Sequence, residues 1–343
     1  MEVTIKDIAR ICGVSVSTVS RALNHHPDIN PETLAKINEA IKKYNYIPNN
    51  SARNLKSTGS NSVAVLVKGM ANPLFSELVG LIDTRLRRYH YAMILQHVSY
   101  AEDEFAVAQE IIKEKKPKGI VFLGNNYSHS EGIVDSLPVP FVLGTVGAIS
   151  EDPDCTRFAH VAVDDRAESR RITQYLLNNG HRDIAVISAE PHESSVGRLR
   201  MEGYLEALSA AGVPAKPELI MQVSDEYEHY SMENGYYTLL RLLESGAGFS
   251  AVYAMSDTLA IGVYRALYEA GLKIPEDVSV IGFDGIPFGD YLQPKLTTLS
   301  QPVLEMADSI VEQLWDMIET KARGRNMLYE GKLLEKGSVK NIS

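Results

Sequence analysis

The first sixty residues constrain the fold of this 343-residue chain most, because they predict two short helices joined by a tight turn. Thr4 is placed to cap the first helix, and Asp7 follows it at the spacing of a capping box. Apolar side chains then recur at intervals of three and four residues, at Ile5, Ile8, Ala9 and Cys12. Gly13 comes next, so the first helix is predicted to end there.

The residues after Gly13 predict a second helix and then a third. Ser15 can cap the second helix after a turn of only two residues. Its inner face carries Val19, Ala22 and Leu23, and its outer face carries Val16, Ser17, Ser20 and Arg21. The third helix is predicted from Pro31 to Lys43, because proline suits the first helical position and positive charge suits the last turn. This arrangement is a helix-turn-helix with a supporting third helix.

Such a head suits DNA in both size and charge. A helix fits the major groove, where short polar side chains and one arginine near its start can reach base edges and phosphates. Residues 1–60 carry eight Lys and Arg against five Asp and Glu, whereas the whole chain carries 34 against 44. The net charge is therefore +3 for the head and −13 for the remainder, so a basic head precedes an acidic body. For the helix pattern alone, the alternative is a purely structural three-helix domain.

Four segments resemble the head and hinge of the lactose/galactose repressor (LacI/GalR) family: Thr4–Ala9, Gly13–Asn24, Tyr46–Asn49 and Ala52–Leu55. The similarity continues through the body to at least Gln301 and Pro302. We divide the chain into a helix-turn-helix head (1–48), a hinge helix and linker (49–61), and an effector-binding and dimerisation core (62–343). The resemblance implies a transcriptional regulator, specifically a repressor, that binds a pseudo-palindromic double-stranded DNA operator as a homodimer.

The hinge is too short to be stable as an isolated helix. A helix over Asn49–Ser57 falls below the roughly 12 residues at which isolated helices become marginally stable in water, so we expect it to fold on DNA. The resemblance implies that the hinge helices of two subunits pair in the minor groove, where Leu55 wedges between base steps and kinks the duplex. The alternative is an ordinary flexible linker, which Ser57–Ser62 is predicted to be.

The candidate DNA contacts combine residues of the head with residues of the hinge. In the second helix, Val16 and Ser17 are expected to face bases, with Arg21 beside them. The complete set comprises Thr4, Ser15, Val16, Ser17, Thr18, Ser20, Arg21 and Asn24 in the head and Asn49, Ala52, Arg53, Leu55 and Lys56 in the hinge.

The body alternates short apolar runs with amphipathic segments, a pattern typical of parallel sheets covered by helices on both faces. The runs are 63–67, 92–95, 119–123, 141–143, 184–187, 251–254 and 278–282. A second series begins near His160–Asp165, so the pattern predicts an α/β core of two Rossmann-like subdomains, like that of periplasmic binding proteins. We place the N-subdomain at about 62–161 plus 292–321, and the C-subdomain at about 162–291 plus 322–343. Ligands of such sheets bind at the carboxyl ends of the strands, here in the cleft between subdomains.

The family resemblance also implies a small-molecule effector in this cleft, a sugar or a sugar phosphate. It assigns Arg200 to ligand hydroxyls or a carboxylate, which a guanidinium fork suits, and Asp284 to sugar hydroxyls. The candidate effector contacts are Phe75, Thr145, Arg198, Arg200, Tyr230, Ser256 and Asp284. The two aromatic members would form walls of the cleft. Thr145 stands where many family members carry an aspartate, so we expect an uncommon pattern of hydroxyl recognition.

These residues also have structural alternatives. Arg200 and Asp284 could form a structural ion pair, and Phe75 and Tyr230 could be ordinary core aromatics. Asp257 is better explained as the N-cap of a helix over 258–270 than as a ligand contact.

Other functional classes lack support in the sequence. It contains no G-x-S-x-G elbow, Walker loop, H-E-x-x-H motif or G-x-G-x-x-G after a strand, so a sugar-modifying enzyme is the weakest alternative. A free-standing sugar-binding protein of the periplasmic type is the second alternative, but it would need a signal peptide and would lack residues 1–60. We therefore expect a regulator rather than an enzyme.

The remaining expectations concern compartment, cysteines and assembly. No run approaches the roughly 18 apolar residues of a membrane span, so a cytoplasmic protein without membrane contact is expected. Cys12 and Cys155 lie far apart in sequence, so neither a disulfide framework nor a metal site is indicated. No cofactor is expected. The tail over 321–343 has no sustained leucine heptads, which favours a dimer over a tetramer.

Overall fold

The structure is a computed structural model that describes residues 3–23, 29–44, 46, 61–124, 137–147, 158–188 and 196–343. The chain divides into two compact units, the head (Met1–Gly59) and the body (Ser60–Ser343). Each unit has buried apolar clusters of its own, so the two units fold around separate cores.

The head consists of three helices around one small core. Helix α1 spans Ile5–Cys12, α2 spans Val16–Leu23 and α3 spans Pro31–Lys43. The buried apolar side chains come mainly from these helices: Ile8, Ala9, Cys12, Val19, Ala22, Ile37, Ala40 and Tyr46. The predicted helix-turn-helix is therefore confirmed.

The predicted helix boundaries of the head are also confirmed, because the capping residues bond as expected. Thr4 Oγ1 accepts a hydrogen bond from Asp7 N at 3.4 Å, and Asp7 Oδ2 accepts one from Thr4 N at 3.0 Å. Gly13 ends α1 with a φ of 67°, a conformation that a residue with a Cβ adopts less readily. Ser15 Oγ accepts a backbone N–H at 3.1 Å at the start of α2, and Pro31 occupies the first turn of α3.

The body contains two six-stranded sheets. In chain order the strands are β1 (Ser62–Lys68), β2 (Ala92–Val98), β3 (Gly119–Leu123), β4 (Phe141–Gly144), β5 (Phe158–Val163), β6 (Ile184–Ser188), β7 (Ile220–Gln222), β8 (Ala251–Ala254), β9 (Ser279–Asp284), β10 (Thr297–Ser300), β11 (Asn326–Tyr329) and β12 (Lys332–Leu334). The first sheet has the order β11-β5-β4-β3-β1-β2, and the second has the order β12-β10-β9-β8-β6-β7. The strand pairs within the described residues are parallel except β10 with β12, which confirms the predicted Rossmann-like subdomains.

Helices cover both faces of each sheet. In chain order they are α4 (Pro73–Arg88), α5 (Glu104–Lys115), α6 (Asp165–Asn178), α7 (Val196–Ala210), α8 (Met232–Ser245), α9 (Asp257–Glu269) and α10 (Val303–Trp315). Helices α4 and α10 pack on one face of the first sheet and α5 on the other. Helices α6 and α7 cover one face of the second sheet, and α8 and α9 cover the other. Strands buried on both faces explain why the apolar runs are continuous.

Two helix pairs approach so closely that only glycine fits where they meet. A Cβ atom added at Gly203 in α7 would lie 2.2 Å from the carbonyl oxygen of Arg166 in α6. A Cβ atom at Gly262 in α9 would lie 2.0 Å from the carbonyl oxygen of Met232 in α8. Both distances are far below van der Waals contact, so these glycines set the spacing of the helix layers.

The sheets differ from the expected subdomain boundaries in three places. Strand β5, expected at the start of the second subdomain, pairs with β4 in the first sheet. Strand β10, expected in the N-subdomain, pairs with β9 in the second sheet, and β11, expected in the C-subdomain, pairs with β5 in the first. The chain thus crosses between subdomains after β5, after β10 and after β11. Strands β10 and β11 have only four residues each, which is too little sequence pattern to reveal which sheet they join.

Two further findings concern helices and cysteines. Within the ranges given above, no helix has both the length and the apolar character needed to cross a membrane. Cys12 is a free, buried thiol in the core of the head, and Cys155 lies outside the described residues.

The close approach at Gly203 can be tested by adding one methyl group. We expect Gly203→Ala to lower the free energy of unfolding by about 1–3 kcal/mol, because the new Cβ has no room beside α6. Gly80→Ala is the matched control: Gly80 lies in α4 with nothing within 4 Å of its added Cβ, so this change should raise stability by about 0.5–1 kcal/mol. Urea unfolding measures both, and equal effects would contradict the packing argument.

Candidate functional site

A cleft between the two subdomains lies at the carboxyl ends of strands from both sheets. Its N-subdomain wall is formed just beyond β1, β3 and β4, and its C-subdomain wall includes the ends of β9 and β10. The space between the cleft walls is about 580 Å³, part of which is open to solvent. The structure brings five of the predicted effector contacts together here: Phe75, Thr145, Arg200, Tyr230 and Asp284.

Asp284 ends β9, and both of its carboxylate oxygens accept hydrogen bonds from amide side chains. Its Oδ2 accepts a hydrogen bond from Asn72 Nδ2 at 2.8 Å, and its Oδ1 accepts one from Gln301 Nε2 at 2.8 Å. Asn72 belongs to the N-subdomain, so this carboxylate joins the two subdomains across the cleft. Burial raises the pKa of Asp284, and the nearby Arg200 guanidinium and the two amides oppose that rise. Its φ of 118° turns the chain sharply at the end of the strand.

Arg200 lies in α7 and is fixed mainly by a different carboxylate. Its Nε donates to Asp165 Oδ1 at 2.8 Å, whereas its Nη2 lies 3.9 Å from Asp284 Oδ1. Its Nη1 donates to the carbonyl oxygen of Met255, and the guanidinium stacks on the ring of Phe283 at 3.6 Å. Burial raises the pKa of Asp165 to about 6, against the opposing charge of Arg200. A structural ion pair therefore exists, but the close partner of Arg200 is Asp165.

Aromatic side chains from both subdomains surround these polar groups. Phe75 lies in the first turn of α4, and Tyr230 lies just before α8. Tyr100 also lines the cleft, and its ring lies 5.0 Å from the ring of His229 in the other subdomain. Flat apolar faces beside hydrogen-bonding groups suit the ring of a sugar or a nucleobase.

Lys68 places a second buried positive charge at the cleft wall. It ends β1, and its Nζ lies 2.8 Å from Glu104 Oε2 in a pair whose two side chains are each 4% exposed. The same Nζ donates to the carbonyl oxygen of Glu102 at 3.0 Å. Two of the three N–H donors of this ammonium are thus engaged within the N-subdomain.

Thr145 connects two strand ends of the N-subdomain. Its Oγ1 accepts a hydrogen bond from Gly124 N at 3.1 Å, and its own backbone N donates to Val161 O at 2.8 Å. It follows β4 with a φ of 70°, an uncommon conformation for a β-branched residue. The hydroxyl contributes to the cleft wall but offers no negative charge there.

Two predicted effector contacts are not among the residues that line the cleft. Ser256 is fully buried, and its Oγ caps α9 by accepting from Leu259 N at 3.2 Å. Arg198 has a side chain that is 41% exposed and lies 3.8 Å from Glu202 on the same helix. Neither position puts the side chain into the cleft wall.

Asp257 is not the N-cap that the sequence suggested, because Ser256 takes that position. The Asp257 carboxylate instead accepts from Thr298 Oγ1 at 2.6 Å and from Ile286 N at 2.8 Å. It thus anchors the turn that follows Asp284. Burial raises its pKa to about 8, and the nearby Asp284 charge adds to the rise.

Sequence reasoning missed eight of the residues that line the cleft, and four of these carry polar side-chain groups: Lys68, Asn72, Tyr100 and Gln301. Lys68 is the last residue of β1, and Gln301 directly follows β10. Positions at the carboxyl ends of parallel strands were a usable signal for both. Asp165, the partner of Arg200, carried no comparable signal, because the pair joins residues 35 positions apart.

The head presents part of its predicted DNA surface. Ser17 and Arg21 are exposed, and Val16, an apolar residue, is 41% exposed. Thr18 and Ser20 are half-buried, while Thr4 and Ser15 are engaged in helix capping. The remaining candidates lie outside the described residues: Asn24, Asn49, Ala52, Arg53, Leu55 and Lys56.

Both the head and the body match known protein families. Residues 4–49 match bacterial regulatory proteins of the lacI family, and residues 173–339 match the periplasmic binding protein-like domain. The chain is 35% identical to the HTH-type transcriptional regulator MalR of Clostridium butyricum, over 98% of this chain and 99% of that protein. It is 31% identical to the ribose operon repressor of Escherichia coli K12 over the same shares. The CelR–cellobiose complex matches with a TM-score of 0.70 and 26% identity, covering 98% of this chain and all of CelR. The chain belongs to the LacI family of bacterial regulatory proteins.

Proposed function

We propose that this chain is a transcriptional repressor whose operator affinity is controlled by a sugar bound in the cleft between the subdomains. The observation that carries the proposal is the convergence of Arg200, Asp284 and two aromatic rings in one cleft of a chain with a LacI-type head. The relatives are regulators, and we assign no enzymatic activity and no cofactor to this chain. We place its action in the cytoplasm, where it meets operator DNA as a homodimer.

On the DNA side, we assign base reading to the exposed start of α2. Val16 and Ser17 would contact base edges in the major groove, with Arg21 beside them. Arg21 and the exposed lysines of α3 supply positive charge for phosphates. The hinge would add minor-groove contacts, with Leu55 as the wedge between base steps.

On the effector side, the chemistry of the cleft suits a polyhydroxylated ring. The carboxylate of Asp284 can accept hydrogen bonds from hydroxyls, and the guanidinium of Arg200 can donate them. Phe75 and Tyr230 offer faces for the apolar side of a ring. Two relatives point in the same direction, since one represses a ribose operon and another is found in complex with cellobiose.

The link between cleft and operator would be the relative orientation of the two subdomains. Asn72 and Asp284 bond across the cleft, and the chain crosses between the subdomains three times, so a ligand that contacts both walls favours one orientation. Linkage requires that the ligand and the operator each bind one orientation of the two subdomains more tightly than another. A typical coupling of about 1–3 kcal/mol would change operator affinity roughly 5–150-fold.

The DNA assignment predicts a change of sequence preference. Replacing Val16 and Ser17 together should alter the preferred operator while leaving the salt dependence of binding nearly intact, because these side chains read bases rather than phosphates. Selection from a random DNA library measures the preference. Asn38→Ala, on the exposed face of α3, is the control and should select the parental operator. A doubly substituted protein that also returns the parental operator would show that base reading lies elsewhere.

The effector assignment predicts a protein that binds DNA but no longer responds to ligand. The effector is first identified by thermal shift of the protein against sugars and nucleobases, since a bound ligand raises the melting temperature. Asp284→Asn keeps the size of the side chain but loses its charge and one acceptor oxygen. A charge-assisted hydrogen bond of about 1.5–3 kcal/mol would be weakened, which corresponds to roughly 10–150-fold in ligand affinity. Operator binding should persist.

The control for Asp284→Asn is Asp290→Asn. Asp290 is an exposed aspartate six residues further on that pairs with Lys336 at 2.7 Å, outside the cleft. This variant should keep the parental ligand response. If Asp284→Asn lowers the melting temperature of ligand-free protein by many degrees, its role is structural; if ligand affinity is unchanged, the site lies elsewhere.

A further inference from the structure

The two positive side chains among the described residues of the cleft wall, Lys68 and Arg200, each pair with a carboxylate within the protein. Lys68 and Glu104 form a buried pair at 2.8 Å, and Arg200 and Asp165 form another at 2.8 Å. All four side chains are at most 6% exposed. Water therefore screens these pairs little, and each cation is committed to a carboxylate of its own.

With a third buried carboxylate, the described residues of the cleft wall and their ion-pair partners carry three acidic side chains against two basic ones. Asp284 lies 3.9 Å from Arg200, which is already bonded to Asp165 at the shorter distance. Asn72 and Gln301 bond Asp284 through neutral amides, which bring no positive charge. Among the described residues of the cleft wall, no lysine or arginine lacks a carboxylate partner.

From this charge balance we infer that the cleft selects an uncharged sugar and rejects the phosphate ester of the same sugar. The inference rests on the proposed function and narrows it, because it decides between the two ligand classes that the sequence left open. Glu104 is the specificity-determining residue, since it cancels the charge of the lysine at the cleft wall.

A phosphate group would meet unfavourable electrostatics in this cleft. A phosphate monoester carries nearly two negative charges at neutral pH and is stabilised in proteins by cations or by free backbone N–H groups. The first turn of α4 offers few backbone N–H groups to a phosphate, because Asn72 Oδ1 already accepts a hydrogen bond from Leu74 N at 3.0 Å. Bringing the dianion near Asp284 would place like charges together in a partly desolvated site, which is strongly unfavourable.

A neutral hydroxyl, in contrast, finds partners that remain available. The ammonium of Lys68 has three N–H donors, of which Glu104 and the carbonyl of Glu102 take two. Each oxygen of Asp284 accepts one bond from a protein amide and can accept a second from a hydroxyl proton. The ion pairs thus present fixed donors and acceptors to a sugar without presenting a net positive charge.

The test uses matched pairs of free and phosphorylated sugars on the full-length protein. The pairs are ribose and ribose 5-phosphate, glucose and glucose 6-phosphate, maltose and maltose 6′-phosphate, and cellobiose and cellobiose 6′-phosphate. Isothermal titration calorimetry gives the two dissociation constants of each pair. For the pair that binds, we expect the free sugar to bind at least about 100-fold more tightly than its phosphate, because like-charge contact is costly in a desolvated site.

Substitution at Glu104 tests the cause of this preference. Glu104→Gln keeps the shape of the side chain but releases the charge of Lys68, so the affinity ratio should shift by at least about 10-fold toward the phosphorylated sugar. Glu110→Gln, an exposed change on the same helix, is the control and should leave the ratio unchanged. Circular dichroism and operator binding establish that each variant is folded; if Glu104→Gln does not fold, the ratio of the parental protein still decides the ligand class.

The outcomes separate this inference from the proposed function. A parental protein that binds a sugar phosphate as tightly as the free sugar, or more tightly, overturns the inference and leaves the proposed function standing. A folded Glu104→Gln variant with the parental ratio overturns the role of Glu104. If no sugar of either kind binds the parental protein, the proposed function is contradicted and the inference falls with it.

Discussion

The rest of the cleft depends on the hydrogen bonds that the carboxylate of Asp284 accepts. Asp284 is 3% exposed, and such a group is stable in the folded state only when polar partners satisfy it. Those partners are the amide of Asn72 from one subdomain, the amide of Gln301 at the second chain crossing, and the guanidinium of Arg200 at 3.9 Å. One buried carboxylate therefore requires polar partners inside the cleft, and its bond to Asn72 connects the two cleft walls.

Local and periodic features of the fold were accessible from the sequence. Thr4, Asp7 and Gly13 bracket the first helix through hydrogen bonds that depend only on near neighbours, so their spacing was sufficient. The continuous apolar runs predicted two parallel sheets, because strands buried on both faces have no polar alternation. The placement of Asp284 at the end of such a strand could be inferred from the general position of ligands in these sheets.

Features that depend on distant pairing were not accessible. Lys68 meets Glu104 across 36 positions and Arg200 meets Asp165 across 35, and no local pattern relates these residues. The short strands β10 and β11 were assigned to the wrong subdomains because their partners are fixed by the route of the chain. The capping of α9 was misplaced by one residue, because Ser256 and Asp257 are both good caps, and Asp257 instead accepts hydrogen bonds from the distant Thr298 Oγ1 and Ile286 N.

The central claim is that occupation of the cleft and binding of the operator are thermodynamically coupled. The most direct test measures the reciprocal effect: the operator dissociation constant with and without saturating effector, and the effector dissociation constant with and without saturating operator, at one salt concentration. Linkage predicts that both dissociation constants change by the same factor, within the roughly 5–150-fold range of typical couplings. An effector that saturates the cleft while the operator dissociation constant stays the same would contradict the account.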